Sequence, residues 1–188
     1  MQTSHLRLQK NMKYRYNFNK CAKMDLLCPK DRPESIFNCI YFNENNAIAS
    51  DGSVMLVVPV SEISTLSNED IDKLNGKLIN KDDYKYLLKF DRIRIETDGI
   101  VGISEKTNTE TIYTFKDIRY VNYKAVINSI IECDKTETIS FKAEHIANLC
   151  KIMDTPFATI KPNGNGLIKI TFENSEATGL MCPHFQKK

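Results

Sequence analysis

Three times along the chain, an amphipathic stripe of helical period is followed by short apolar runs of strand period. In the first unit, residues 36–42, 46–50 and 54–60 read as strands, with Asp51-Gly52 at the last turn. An Asp-Gly pair between β-rich runs predicts a type I′ hairpin, because both central positions of that turn need positive φ. In the second unit, 77–79 is a short strand, and Asn80 caps a helix through Leu88 with Asp82 and Asp83 in its positive first turn. Strands at 92–97, 100–104 and 111–115 follow, Ile93 and Ile95 alternating with Arg92, Arg94 and Glu96 as on a half-buried surface. The third unit is a strand at 137–141, a helix near 143–153, and strands at 158–161, 167–172 and 177–181. Asn163-Gly164-Asn165-Gly166 supplies its turn. No helix follows these glycines, as a phosphate-binding loop requires, so they read as hairpin residues.

The helical stripes separate core from surface. In the first predicted helix Tyr14, Phe18, Cys21 and Ala22 form the apolar face, and Lys13, Tyr16, Lys20 and Lys23 lie opposite. In the second, Tyr84, Leu87 and Leu88 face inward beside an i, i+4, i+8 row of Lys81, Lys85 and Lys89. In the third, Ile146, Leu149, Cys150 and Met153 face inward, while Glu144, Asn148 and Lys151 face out. Lysine recurring on the same structural element suits contact with a phosphate backbone. Without arginine or aromatic base readers it does not suit sequence recognition.

The totals narrow the class. At 188 residues, with 27% charged and 41% apolar, the chain is globular and can bury a sizeable core. No stretch approaches a membrane span, and residues 1–10 lack the apolar centre of a signal peptide. The net charge of +2 argues against a strongly basic nucleic-acid binder but permits a basic face. Cys21, Cys28, Cys39, Cys133, Cys150 and Cys182 contain no Cys-x-x-Cys pair, so no metal site is expected, and Cys182 with His184 supplies too few ligands for zinc. Free cysteines on apolar faces, Cys21 and Cys150 among them, point to a reduced, cytoplasmic protein.

No catalytic set emerges. His5, His145 and His184 lie in separate contexts, and Asp51 and Asp98 each precede glycine in a predicted turn, which explains both without acid–base work. No nucleophile elbow, zinc-protease motif or phosphate-binding loop occurs, and no cofactor is implied.

Three segments together carry a resemblance. Arg32-Pro33-Glu34-Ser35-Ile36-Phe37-Asn38-Cys39-Ile40, followed by Ile48-Ala49-Ser50-Asp51-Gly52-Ser53-Val54-Met55-Leu56, resembles bacterial DNA sliding clamps, the β subunit of the replicative polymerase. In that family an Arg-Pro after the first helix leads into a strand and then a Thr-Asp-Gly-His-Arg-Leu-like turn; Ser50, Ser53, Val54 and Met55 depart from that turn. Tyr120-Val121-Asn122-Tyr123-Lys124-Ala125-Val126-Ile127 is similar to the clamp's inter-domain Phe-Pro-Asp-Tyr-Arg-Arg-Val-Ile segment without its proline. By periodicity alone Tyr123, Val126, Ile127, Ile130 and Ile131 read as an amphipathic helix, so the conformation of residues 120–133 stays open. Residues 138–153 and 167–183, closing on Gly179-Leu180-Met181-Cys182-Pro183, are similar to the last half-domain of such clamps.

The resemblance is to a short, divergent member of that family. It implies an α+β fold of repeated β-α-β-β-β units, as in the DNA clamp fold, with antiparallel sheets and the helices on one face. Two units fall in residues 1–118, a connector in 119–136 and a third unit in 137–188. It implies a non-enzymatic processivity factor that tethers a DNA polymerase or other replication protein to duplex DNA. The DNA-facing residues are Lys13, Lys20, Lys23, Lys81, Lys85, Lys89 and Lys151. Leu180, Met181 and Pro183 fall near the partner-peptide groove. Three units per chain, where clamp domains hold two, imply homo-oligomerisation, pairing of the odd unit across an interface, or a clamp fold without a ring. The rival readings are a clamp-fold interaction module that binds replication proteins without encircling DNA, and an unrelated α+β enzyme using Asp51, Asp98 and a histidine.

Overall fold

A computed structural model describes residues 17–29, 35–129, 140–163 and 166–183. Among the described residues ten strands build two antiparallel sheets. Strands β1 (Cys39–Asn43), β2 (Asn46–Ser50) and β3 (Val54–Pro59) form a meander. The strand β4 (Leu78–Asn80) joins the free side of β1, with Cys39 opposite Asn80. The chain then leaves this sheet and builds a second one of three strands, β5 (Arg92–Ile95), β6 (Gly99–Ser104) and β7 (Thr109–Thr114). It returns with β8 (Ala158–Pro162), β9 (Ile168–Phe172) and β10 (Thr178–Met181). Strand β10 pairs with β3, Gly179 opposite Leu56, so the first and third units, with β4 of the second, share one seven-stranded sheet in the order β4-β1-β2-β3-β10-β9-β8. The predicted division at 119–136 is therefore a division along the sequence and does not separate the sheets.

Among the described residues five short helices connect the strands: α1 (Val60–Ile63), α2 (Asn68–Lys73), α3 (Lys81–Leu87), α4 (Tyr123–Asn128) and α5 (Ala143–Ile152). Helix α3 starts where its sequence requires. The Asn80 side chain accepts from the Asp82 N–H at 2.8 Å, and Asp82 and Asp83 occupy the positive first turn. Ser67 caps α2 in the same way, accepting from Asp70 N–H. Among the described residues no helix is long and apolar enough to cross a membrane.

One core lies between the two sheets and the unit helices. Phe42, Leu56 and Val58 of the large sheet meet Ile93, Ile95 and Ile100 of the small one, with Tyr84 and Leu87 of α3 and Leu149 and Ile152 of α5. The opposite face of the large sheet is also buried. There Cys39, Ile48, Met55, Val57, Leu78 and Leu180 pack under Tyr120 and Tyr123, with Val126 and Ile127 against them. Residues 123–128 are thus helical, and Tyr123, Val126 and Ile127 of the predicted apolar stripe serve as a cover, while Ile130 and Ile131 lie outside the described residues.

Several expectations are corrected. No helix spans 17–23. The Asn17 and Asn19 side chains accept from the N–H groups of Phe18 and Cys21, the local competition that pulls backbone out of a helix. Asn17 and Asn19 also bond to Thr65 and Ile63 across a bridge between Phe18 and Ser64. Phe18 and Ala22 are still core, whereas Cys21 is exposed. A 3-10 turn, Met24–Leu27, directly follows the segment predicted as the first helix. Residues 36–38 form another 3-10 turn capped by Ser35, so β1 begins at Cys39. The Asp51-Gly52 turn is not type I′. In this loop Gly52 alone has positive φ, +91°, while Asp51 Oδ1 accepts from the N–H groups of Ser53 and Val54. Val60 begins α1 instead of ending β3, and residues 140 and 141 are not in a strand. Residues 137–139 of that predicted strand lie outside the described residues.

The turn Met24–Leu27 is wedged between α3 and α5. The Tyr84 hydroxyl, fully buried, donates to the Ala22 carbonyl at 2.8 Å, and the Met24 N–H shares that acceptor. Tyr84→Phe removes one of two bonds to a carbonyl that stays paired, so it should cost about 1 kcal/mol. The expected result is a lower urea midpoint with an unchanged m-value; an unchanged midpoint would show that the bond does not hold the turn. Asp25 in the same turn has an Oδ1 with no hydrogen-bond partner among the described residues. Burial raises its carboxyl above the ordinary value, outweighing the pull of Lys85 and Lys23. The folded state therefore holds the proton more tightly than the unfolded state does. Stability falls as pH rises from the unfolded carboxyl value of 3.8 through the raised one. Asp25→Asn should therefore melt higher than the parent at pH 7, with the gap closing toward pH 4 (about the carboxylate range). A variant that melts lower at pH 7 would contradict this account.

Candidate nucleic-acid interface

The lysines singled out by spacing meet different fates. Lys13 lies outside the described residues. Lys20 and Lys23 are exposed but sit on the irregular segment before the 3-10 turn, so they form no helical row. The row at 81, 85 and 89 runs through α3 into the turn that follows it, and is uneven in environment. The Lys81 ammonium donates to the Pro29 carbonyl and is half-buried. Lys85 is exposed and near enough to Asp25 to pull on its proton. Lys89 lies with its ammonium 4.6 Å from the ring centroid of Tyr86, itself 52% exposed. Lys151 is exposed in the last turn of α5.

What the structure brings together is a surface around the turn Met24–Leu27. Helices α3 and α5 both pack on that turn, so Lys23, Lys85 and Lys151 belong to three neighbouring elements. Asp25, Asp82 and Asp83 are interleaved with them. Burial raises the Asp83 carboxyl, with Lys116 opposing. The three neighbouring elements are thus mixed in charge.

The predicted peptide-groove residues divide by burial. Leu180 and Met181 are 2% and 1% exposed, on opposite faces of β10, Leu180 under the Tyr120–Tyr123 cover and Met181 in the main core. Pro183 is half-buried and Cys182 exposed, its N–H donating to the Ser53 carbonyl. Of the candidate catalytic groups, His145 Nδ1 lies 3.9 Å from Asp51 Oδ2, while Asp98 stands in the β5–β6 turn of the other sheet. The other Asp51 oxygen is occupied by its turn. Among the described residues no three histidine, cysteine or acidic groups could hold a metal. Burial pushes the Cys28 thiol up to about 12, which suits an inert core cysteine. Cys150 is half-buried, as its stripe predicted.

Spacing missed Asn17, Asp25 and the tyrosine cover. Asn17 is an anchor: its side chain donates to the Phe90 carbonyl at 2.6 Å and its N–H to Thr65 Oγ1 at 3.0 Å. The signal for such an anchor was asparagine beside a lone phenylalanine, which stripe counting assigns to a helix. Tyr120 stacks on Tyr41 at 5.0 Å, and the Tyr123 hydroxyl accepts from Asn43.

No family model matches the chain, and no curated protein matches it either. Solved structures do. The β subunit of DNA polymerase III from Borrelia burgdorferi superposes with a TM-score of 0.56 at 11% identity, over 98% of this chain and 67% of that one. The corresponding chain from Streptococcus pneumoniae gives 0.55 at 14% identity, over 98% and 64%. The Helicobacter pylori β clamp bound to a DNA ligase peptide gives 0.51 at 11%, over 89% and 64%. The chain thus spans about two thirds of the length of these subunits. Identity this low speaks to architecture, and the architecture is that of the bacterial sliding clamp: an α+β fold of antiparallel sheets and few helices.

Proposed function

We propose that this protein is a sliding-clamp-like processivity factor that tethers a replication enzyme to duplex DNA through phosphate contacts without sequence preference. The observation that supports it most is the clamp architecture with α3, the turn Met24–Leu27 and α5 side by side, bearing exposed Lys23, Lys85, Lys89 and Lys151. Point charges on long stems suit sliding, because they neutralise phosphates without locking to any base. The protein acts by topology and electrostatics, with no catalytic role, in the cytoplasm. The neighbour that binds a DNA ligase peptide supports a short replication-protein peptide as the partner, meeting this chain at Pro183 beyond the end of β10. Encirclement needs more than one copy, and open edges favour association. Strand β7 is exposed almost throughout and carries Ile112 at 55% exposure; β8 carries Ile160 at 38% and follows Phe157 at 67%.

A second reading, an interaction module that binds replication proteins without encircling DNA, draws on the same apolar edge at Phe157 and Ile160 and on the acidic residues among the lysines.

Two measurements separate them. Light scattering should give a discrete closed oligomer, and that oligomer should be retained on nicked circular duplex but slide off linear duplex at moderate salt. Lys85→Glu with Lys89→Glu should weaken retention on the circle at least about tenfold at low salt, and the remaining binding should depend less steeply on salt, because fewer phosphates are neutralised. Circular dichroism should stay unchanged. Lys81 is left alone because its bond to Pro29 belongs to the fold. A stable monomer, released equally from both DNA forms, would overturn the tether and leave the interaction module.

A further inference from the structure

Helix α3 meets the core with Tyr84 and Leu87, both buried, yet it leaves the ring of Tyr86 52% exposed. Among the described residues the other large apolar side chains left exposed (Ile112, Ile118, Phe141, Phe157 and Ile160) lie on strands or connecting segments, so Tyr86 is the one that a helix displays. A single exposed ring needs no explanation by itself. The surroundings of this one give it a use.

The ring belongs to a packed aromatic cluster. The Lys89 N–H donates to the Tyr86 carbonyl at 2.9 Å, which brings Lys89 back one turn, with its ammonium 4.6 Å from the Tyr86 ring centroid. The next residue, Phe90, lies against the β6 backbone: a Cβ at Gly102 would stand 2.5 Å from Phe90 Cδ2. Tyr113 of β7 meets Phe90 edge-on, the ring centroids 5.9 Å apart. Burial raises the Tyr113 phenol, and Asp83 and then Tyr86 are close enough to add to that rise. The Phe90 carbonyl is tied in turn to the Asn17 side chain at 2.6 Å. Tyr86 is the exposed member of this cluster at the end of α3.

The charges beside it are open. Lys85 and Lys89 are both exposed. Among the described residues neither is in an ion pair, whereas Lys73, Arg92, Arg94 and Lys124 each hold a carboxylate. Asp82 and Asp83, one turn earlier, offset part of the positive charge. Two lysines suit a phosphate chain, but the outside of a duplex gives a ring nothing to stack on. A single strand does, because each unpaired base offers a π-face, and stacking is indifferent to sequence. A ring has two faces and one ammonium covers one of them, so the half-exposed Tyr86 can hold Lys89 and a base together.

We infer that Tyr86, flanked by Lys85 and Lys89 at the end of α3, is a stacking site for an unpaired base, so that this face holds single-stranded nucleic acid as well as duplex. The inference rests on the tether reading for nucleic acid as the partner and goes beyond it in adding a contact that a duplex does not use.

The test uses the full chain with a labelled single strand of mixed sequence, an abasic strand of the same length, and the duplex of the first. Affinity is read by fluorescence anisotropy across a salt series. Tyr86→Ala should weaken single-strand binding about tenfold, as the loss of one stacked base requires. It should leave duplex affinity unchanged, because the ring meets no phosphate. The melting temperature should not fall, since alanine is the better helix former at an exposed position. Tyr86→Phe keeps the ring and should bind both forms like the parent. In Lys85→Gln with Lys89→Gln the slope of log affinity on log salt for the single strand should fall by about 0.7 for each phosphate no longer neutralised. A Tyr86→Ala chain that binds the single strand like the parent, or that loses as much duplex as single-strand affinity, overturns the stacking site. So does a parent that binds the abasic strand as tightly as the strand with bases. A parent that binds duplex but no single strand overturns the inference and leaves the tether reading standing. Binding of the single strand through Tyr86 without binding of duplex overturns the tether and leaves the inference, and binding of neither form overturns both.

Discussion

The pairing of β3 with β10 joins residues about 120 positions apart, and the placing of both the third unit and the outer cover depends on it. Each strand would otherwise be an edge of a smaller sheet with apolar residues on both faces, an arrangement prone to aggregation. The pair is secured at both ends. The Cys182 N–H donates to Ser53 beyond one end, and Glu62 accepts from the Ser175 hydroxyl and the Glu176 N–H beyond the other. Gly179 sits in the middle of β10 for a steric reason. A Cβ there would stand 3.1 Å from Leu149 Cδ1 and 3.2 Å from Ile170 Cβ, so glycine is what lets α5 lie this close to the sheet. Closing so long a loop must precede any gain from the contacts it makes, which places this step late and slow in folding.

Because the joined sheet is buried on both faces, its strands lose the alternation of a half-buried surface. Val54 to Val58 is an unbroken apolar run, and it divides by parity: Val54, Leu56 and Val58 enter the main core, Met55 and Val57 the opposite one. Such a run identifies a strand without saying what covers its second face. Here the cover is Tyr120, Tyr123, Val126 and Ile127, whose spacing showed a helix but not its seat. Burial also raises the Tyr120 phenol far above its ordinary value, so the ring acts as apolar surface against Tyr41 and Phe37.

The parts legible in the sequence were those with local causes. Strand β2 matches its prediction at both ends, and α3 begins at its asparagine cap. The parts that failed were those in which a distant group competed with a local pattern. Phe18 and Ala22 are four apart and both buried, as in a helix, yet they are core because residues 17–19 bridge to 63–65. Lys81, Lys85 and Lys89 share a spacing but not an environment, since Pro29 claims the first and Tyr86 the last. Helical spacing tells which charges share a face. It does not tell what the neighbouring segment offers them, and the carboxylate of Asp25 came from such a segment.

The odd number of units finds its resolution in the sheets. A lone third unit would leave unpaired strands, but β10 carries it into the sheet of the first unit, and the second unit gives β4 to that sheet and builds the small one. Among the described residues the edges that remain are β4 and β8 on the large sheet and β5 and β7 on the small one. Strand β4 spans three residues, and β5 carries the paired arginines Arg92 and Arg94. That leaves β7 and β8, the two longest edges, as the surfaces through which copies of this chain could extend their sheets. Pro162 ends β8 without an N–H to give, so a ladder on that edge would have no donor at that residue. A short ladder gives weak association on its own, so a stable ring built on it needs the apolar contacts of Phe157 and Ile160 at the same interface.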